Sequence, residues 1–275
     1  MVLSDQNRNR VTSLATYTLL SILAFLSVFP FLWMAISTTN TSVDIVSGKL
    51  TLGTAFGGNI RALFEQVNVP LVFWNSAKIA LLTVVLASIV SSAAGYGFEM
   101  FKSRTRERLY GIMLLSMMVP FAATMIPLFM MFAKAGLMNT HSAIIVPSIA
   151  VAYFIFFFRQ SASSFPRDLR DAAKMDGLKE WQIFAYIFVP AMRSTYAAAF
   201  IIIFMAAWNA YFWPLIVLQE NDMKTFTLVI ASLASAYQPD FGVILVATVL
   251  ATLPVIALFF LMQRQFVAGM LGSVK

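Results

Sequence analysis

Apolar positions in this chain neither alternate nor recur every third or fourth residue. They run on. Six long apolar stretches follow one another, at Leu14–Ile36, Ile79–Phe98, Leu109–Phe132, Ser142–Phe158, Thr195–Leu218 and Val243–Met262. Each is near the roughly 20 residues that an α-helix needs to cross a bilayer. Backbone polar groups inside lipid must be paired within their own segment, which a helix does and an open strand does not. The pattern predicts an all-α integral membrane protein with six transmembrane helices. The first stretch follows Arg8 and Arg10. It is too long for the roughly 7–15-residue apolar region of a cleaved signal, so it reads as a retained signal anchor.

Composition agrees. The 275 residues are 60% hydrophobic and only 11% charged, more apolar surface than a water-soluble fold can hide. The net charge of +7 would favour nucleic-acid binding in a soluble protein, but its placement gives it another meaning here. With the N-terminus inside, the inner segments hold Arg8 and Arg10, then Lys102, Arg104, Arg106 and Arg108, then Arg159, Arg167, Arg170, Lys174, Lys179 and Arg193, and finally Arg264 and Lys275. The outer segments hold Lys49, Arg61, Lys134 and Lys224, and Lys78 falls at the outer edge of the second helix. This bias predicts both termini on the cytoplasmic side. There are no cysteines, which excludes disulfides and thiol chemistry.

Prolines fall within or beside several spans: Pro30, Pro120, Pro127, Pro147, Pro214 and Pro254. Each removes a backbone donor and tends to kink its helix, as happens both in cavity-lining helices and in ordinary membrane packing. The second span carries small residues at close-approach spacing, Ser88 with Ser92 and Ser91 with Gly95, which reads as helix packing. Two connections are long, the outer one from Ser37 to about Ala77 and the charged inner one from Arg159 to Ser194. Glu99, at the inner end of the second span, is expected to pair with Lys102.

The inner connection is the informative one. Residues 163–190 read SSFPRDLRDAAKMDGLKEWQIFAYIFVP. Ser164 is placed to cap a short helix and Pro166 suits its first turn. Asp168 and Asp171 favour its positive end. Leu169, Ala172, Ala173 and Asp176 share one face by their spacing, and Gly177 suits a left-handed helix end. A second short helix begins near Glu180, turns apolar through Trp181, Ile183, Phe184 and Ile187, and ends near Pro190. Alanines at the centre of the face grip lipid poorly but let a helix lie close in a protein groove, so a docking helix fits better than a surface-lying one.

The run Asp171-Ala172-Ala173-x-x-Asp176-Gly177, followed by Phe184, Ile187 and Pro190, resembles the EAA loop of ABC importer permeases. It departs from that pattern with Asp171 for Glu, Leu178 for the common Ala and Val189 for Leu. The stretch Trp208-Asn209-Ala210-Tyr211-Phe212-Trp213-Pro214-Leu215 is similar to one in carbohydrate-type permeases. So are Gly136-Leu137-x-Asn139-Thr140 and the tail Gln263-Arg264-Gln265-Phe266-Val267-x-Gly269-x-x-Gly272-Ser273-Val274-Lys275. The resemblance covers essentially the whole chain. It is closest to the shorter, six-helix partner of maltose- and glycerol-phosphate-type importers.

That resemblance implies the type I importer fold, with an N-terminus, first helix and outer loop at 1–70, a permease core at 71–264 containing the coupling loop at about 159–194, and a tail at 265–275. It implies contact with an ATPase through Asp171, Ala172, Ala173, Asp176 and Gly177, and through Gly269, Gly272 and Lys275 in the tail. Its expected partners are a second permease subunit, two copies of a cytoplasmic ATPase, an extracytoplasmic solute-binding protein and membrane lipid, without nucleic acid. It places the chain as a multi-pass protein of the cell (inner) membrane. The chain has no G-x-x-x-x-G-K-[ST] run, so ATP and Mg are expected in the partner and no cofactor in this chain, which is not an enzyme by itself.

Trp208, Asn209 and Tyr211 are candidate contacts on a substrate path, since amides and aromatic faces suit sugars. An interhelical hydrogen bond and an interfacial aromatic belt account for them more readily. His141, the sole histidine, reads as a solvated loop residue, and neither a metal site nor a catalytic set is expected. A non-sugar ABC permease and a secondary transporter are the alternatives. The second calls for buried ionisable residues on an ion path, which the spans almost lack.

Overall fold

A computed structural model describes the backbone of residues 2–272 and the side chains of residues 12–263. Among the described residues every regular element is helical, without strands. In order the elements are α1 (Val2–Ser37), α2 (Ser42–Val46), α3 (Phe56–Gln66), α4 (Val69–Met100), α5 (Arg104–Ser116), α6 (Phe121–Lys134), α7 (Ser142–Ser148), α8 (Ala152–Ala162) and α9 (Arg167–Met175). There follow α10 (Glu180–Ile183), a π-helical turn (Phe184–Phe188), α11 (Val189–Ala191), α12 (Arg193–Trp208), α13 (Phe212–Val217), a 3-10 turn (Asn221–Met223), α14 (Phe226–Ala234) and α15 (Phe241–Gly272).

Three stretches are long and apolar enough to cross a membrane unbroken: Thr12–Ser37, Val69–Met100 and Phe241–Gln263. Three bent pairs bring the number to six, the count the apolar runs predict: α5 with α6, α7 with α8, and Glu180–Ala191 with α12. The bends are 100°, 41° and 80°. Three predicted spans are therefore not continuous helices, Ser142–Phe158 being split between α7 and α8. Leu109–Phe132 breaks after Ser116, because the ring of Pro120 would meet the carbonyl four residues back, that of Ser116. Thr195–Leu218 breaks after Trp208, because Pro214 likewise forbids a helix through Ala210 but is welcome in the first turn of α13. In α7, Pro147 lies inside the helix.

The second span begins some ten residues earlier than its apolar run. Asn68 caps α4 by accepting a hydrogen bond from the Leu71 N–H at 3.3 Å, and Pro70 sits in its first turn. Lys78 thus stands well inside α4 rather than at its outer edge. Within the predicted outer loop, α2 and α3 have formed.

The chain divides into two units. One comprises the chain up to Val67 together with Ser232–Leu250. Buried Asn59 organises it, donating through Nδ2 to the carbonyls of Thr38 at 2.8 Å and Asn40 at 3.0 Å. Ser42 Oγ donates to Asp240 at 2.8 Å, which ties α2 to the start of α15. The other unit comprises Asn68–Ala231 and the chain from Ala251 onward. There α8 and α12 pack on α4. The α4–α8 approach depends on Gly95, where a Cβ would lie 2.7 Å from the Arg159 nitrogen and 2.9 Å from the Phe158 carbonyl carbon. No real side chain fits there, so the small-residue stripe is a packing seam.

Candidate coupling site

The docking helix forms as α9, but its start differs from the expected cap. Pro166 is itself the N-cap residue, extended at φ −64° and ψ 120°. Helix therefore begins only at Arg167, out of reach of Ser164, whose hydroxyl donates instead to the Ser161 carbonyl at 2.7 Å. The other end matches the reading. Gly177 is left-handed at φ 81°. Its N–H reaches the Lys174 carbonyl and the Leu178 N–H reaches the Ala173 carbonyl, each at 3.0 Å. This pair of bonds closes the helix and satisfies carbonyls that would otherwise be orphaned.

The predicted face is only partly open. Leu169, Asp171, Ala172, Met175 and Asp176 are exposed, with Met175 at 88%. Ala173 is turned inward and only 4% exposed. Of the two alanines, Ala172 alone lies on the outward face.

The flanks of α9 are fixed by packing. Phe165 before it and Phe188 after it are buried with Tyr96, Ala162 and Met192. The second short helix ends near Pro190, as the sequence predicts. It reaches Ala191 through a π-helical turn. Pro190 has no N–H for the Tyr186 carbonyl, and the turn before it, closed by the Val189 N–H onto the Phe184 carbonyl, absorbs the break.

Two groups of charges lie beneath α9. In the first, Glu180 accepts from Arg170 Nη2 at 2.6 Å, Lys174 Nζ at 2.7 Å and the Tyr96 hydroxyl at 3.2 Å. Arg170 also lies over the Phe101 ring, 4.9 Å from its centroid. Burial alone would lower the Arg170 pKa, but the Glu180 carboxylate beside it outweighs burial and raises it. In the second group, Glu99 meets Lys102 at 2.6 Å, the pair the sequence predicts, together with Arg159 at 3.5 Å and Arg167 at 3.8 Å. Arg159 also pairs with Glu107 at 2.7 Å and lies 3.9 Å above the Tyr110 ring. Sequence reasoning missed Tyr96, Arg170 and Glu180 as partners, since positions 96 and 180 meet only through tertiary packing.

The candidate path residues do not form one group. Trp208 is buried, its indole N–H donating to the Ala251 carbonyl at 3.0 Å and its ring stacked on Phe204. Asn209 lies not within a span but at the end of α12, exposed, donating to the Met205 carbonyl at 2.9 Å. Tyr211 is half-buried beside Phe212. His141 is likewise half-buried rather than solvated, with Nε2 3.1 Å from the Met223 carbonyl oxygen. Of the expected tail contacts, Gly269 and Gly272 fall on the last turns of α15, and Lys275 lies outside the described residues.

Residues 85–272 match the family described as "Binding-protein-dependent transport system inner membrane component". The chain is 63% identical over 268 residues to the lactose transport system permease protein LacG of Rhizobium radiobacter, covering 98% of both chains. It is 34% identical to the arabinooligosaccharides transport system permease protein AraQ of Halalkalibacterium halodurans, covering 93% of this chain and 94% of the other. Its fold is similar to that of a chain in the crystal structure of a bacterial ABC transporter involved in the import of the acidic polysaccharide alginate. The TM-score is 0.82 at 19% identity, over 93% of this chain and 96% of that one. By its matched residues and its full-length relatives, this chain belongs to the inner-membrane permease components of binding-protein-dependent transport systems.

Proposed function

We propose that the chain is the permease subunit of an ATP-driven sugar importer, forming half of the translocation path, and that its solute is lactose or a closely similar disaccharide. The observation that carries the sugar reading is the near full-length identity to a lactose permease. In this reading Asp171, Ala172, Ala173, Asp176 and Gly177 form the coupling segment. Ala172 and its exposed neighbours enter a groove on a separate ATPase, Ala173 seats the helix from behind, and Gly177 ends it. ATP and Mg belong to that ATPase. A second permease chain completes the path and a binding protein delivers the sugar from outside. The positive-inside pattern puts α9 on the cytoplasmic face, where such an ATPase works.

Reconstitution in proteoliposomes with the neighbouring subunits tests this. Radiolabelled lactose, presented with the binding protein, is taken up only when ATP is inside the ATPase-bearing compartment, and unlabelled lactose competes. ATP-dependent uptake of an amino acid, with no saccharide carried, overturns the sugar reading. Uptake that ignores ATP overturns the importer reading.

A further inference from the structure

We propose that Glu180 is a positioning residue that locks the docking helix α9 to the membrane helix α4, so that the two move as one body. This rests on the importer reading given above. The observation is the convergence of donors on one carboxylate. Arg170 and Lys174, one helical turn apart on α9, both reach Oε1, at 2.6 and 2.7 Å. Arg170 Nε and the Tyr96 hydroxyl reach Oε2, at 3.3 and 3.2 Å. Tyr96 belongs to α4 and is 4% exposed, fixed edge-on against Phe184 and close to Phe188. Glu180 therefore joins three elements: the docking helix, the helix after it and a membrane span.

The alternative anchors are weaker. Ala173 is the only buried residue of α9, and a methyl group holds little. The Arg167–Glu99 pair is long, at 3.8 Å, with Arg167 66% exposed, where solvent leaves an ion pair worth little. Arg170 is only 15% exposed and makes two bonds with Glu180, a geometry that fixes direction as well as distance. Without that carboxylate, α9 would still be capped and still present Ala172. It would tilt on its packed flanks instead of pushing α4.

The test measures lactose taken up per ATP hydrolysed by the complete complex in proteoliposomes, alongside co-purification of the ATPase. Glu180→Gln is expected to keep the ATPase bound and lower the ratio about tenfold, within the usual span of coupling between sites. Arg170→Met is expected to do the same, and the double variant no more, since both remove one interaction. Tyr96→Phe keeps the ring and removes only the hydroxyl, and is expected to lower the ratio about threefold. An unchanged ratio in Glu180→Gln, with the ATPase bound, overturns the positioning role and leaves the importer reading standing. Additive losses in the double variant also overturn it. If Glu180→Gln does not accumulate, Tyr96→Phe decides: a lowered ratio supports the role and an unchanged one overturns it. An unaltered chain that binds no ATPase and transports without ATP overturns both.

Discussion

Two connections of the larger unit are fastened by different chemistry. Around α9 the bonds run between charged side chains, from Arg170 and Lys174 to Glu180 and from Arg159 to Glu99 and Glu107. The connection after α13 is held by neutral side chains on its backbone. Asn75 donates to the carbonyls of Asp222 at 2.8 Å and Lys224 at 3.2 Å. Asn139 accepts from the N–H groups of Gln219 and Glu220 at 3.2 and 3.1 Å, and Ser76 accepts from that of Phe226 at 2.7 Å. A backbone held in this way keeps its shape whatever side chains it displays. A helix held by ion pairs depends on each charge, and removing one partner strands the other. The first arrangement suits a fixed outer surface, the second a part that carries force.

The largest expected effect breaks the inner side alone. Gly177→Pro cannot hold φ 81° and has no N–H for Lys174. ATPase co-purification is expected to be lost and uptake with it, while the outer connection keeps its protection in hydrogen exchange. Next comes Asn75→Leu on the other side. It is 2% exposed, and two carbonyls lose their donor, at roughly 1–3 kcal/mol for groups left unpaired. Thermal unfolding in detergent is expected several degrees lower, with the ATPase still bound. Equal loss of ATPase binding in both variants would erase the contrast.

A smaller effect separates conformation from bonding at Asn139, whose φ is 58°. Asn139→Gly keeps the left-handed backbone and loses the two accepted bonds. Asn139→Ala loses both, and is expected to be less stable than the glycine variant by about 1 kcal/mol in denaturant unfolding. The smallest effect is a pH step at His141. Burial lowers its pKa, assisted by Lys78 and opposed by the Met223 bond. A base whose folded pKa is depressed adds stability above its ordinary value of about 6.5 and loses it as pH falls from there through the lower folded value. The melting midpoint is expected to step down slightly below pH 6.5, a step absent from His141→Gln.

The spans were legible because lipid imposes one rule on every residue of a run. The breaks were not, because proline alone does not decide them. Pro30, Pro127 and Pro254 sit inside continuous helices, whereas Pro120, Pro147 and Pro214 accompany breaks. Neighbouring helices decide whether the freed carbonyl is tolerated. In the proposed coupling segment, the helix end at Gly177 and the exposure of Ala172 could be read from local spacing. The inward turn of Ala173 depends on tertiary packing that local spacing does not fix. The partnership of Arg170 with Glu180 and Tyr96 depends on a fold that brings position 96 to position 180. The early start of α4 was readable, since Asn68 and Pro70 form a helix-start signal that the apolar run overshadowed.

In the proposed docking, α9 presents Ala172, and not Ala173, to an ATPase. A chain with no cysteine makes this directly measurable. Ala172→Cys and Ala173→Cys would each be labelled with a short photo-crosslinker in the assembled complex and irradiated with and without ATP. Position 172 is expected to capture the ATPase, with a yield that changes with ATP, and position 173 to label poorly and capture it little. Free labelling at position 172 in the assembled complex, with no ATPase captured, would contradict it.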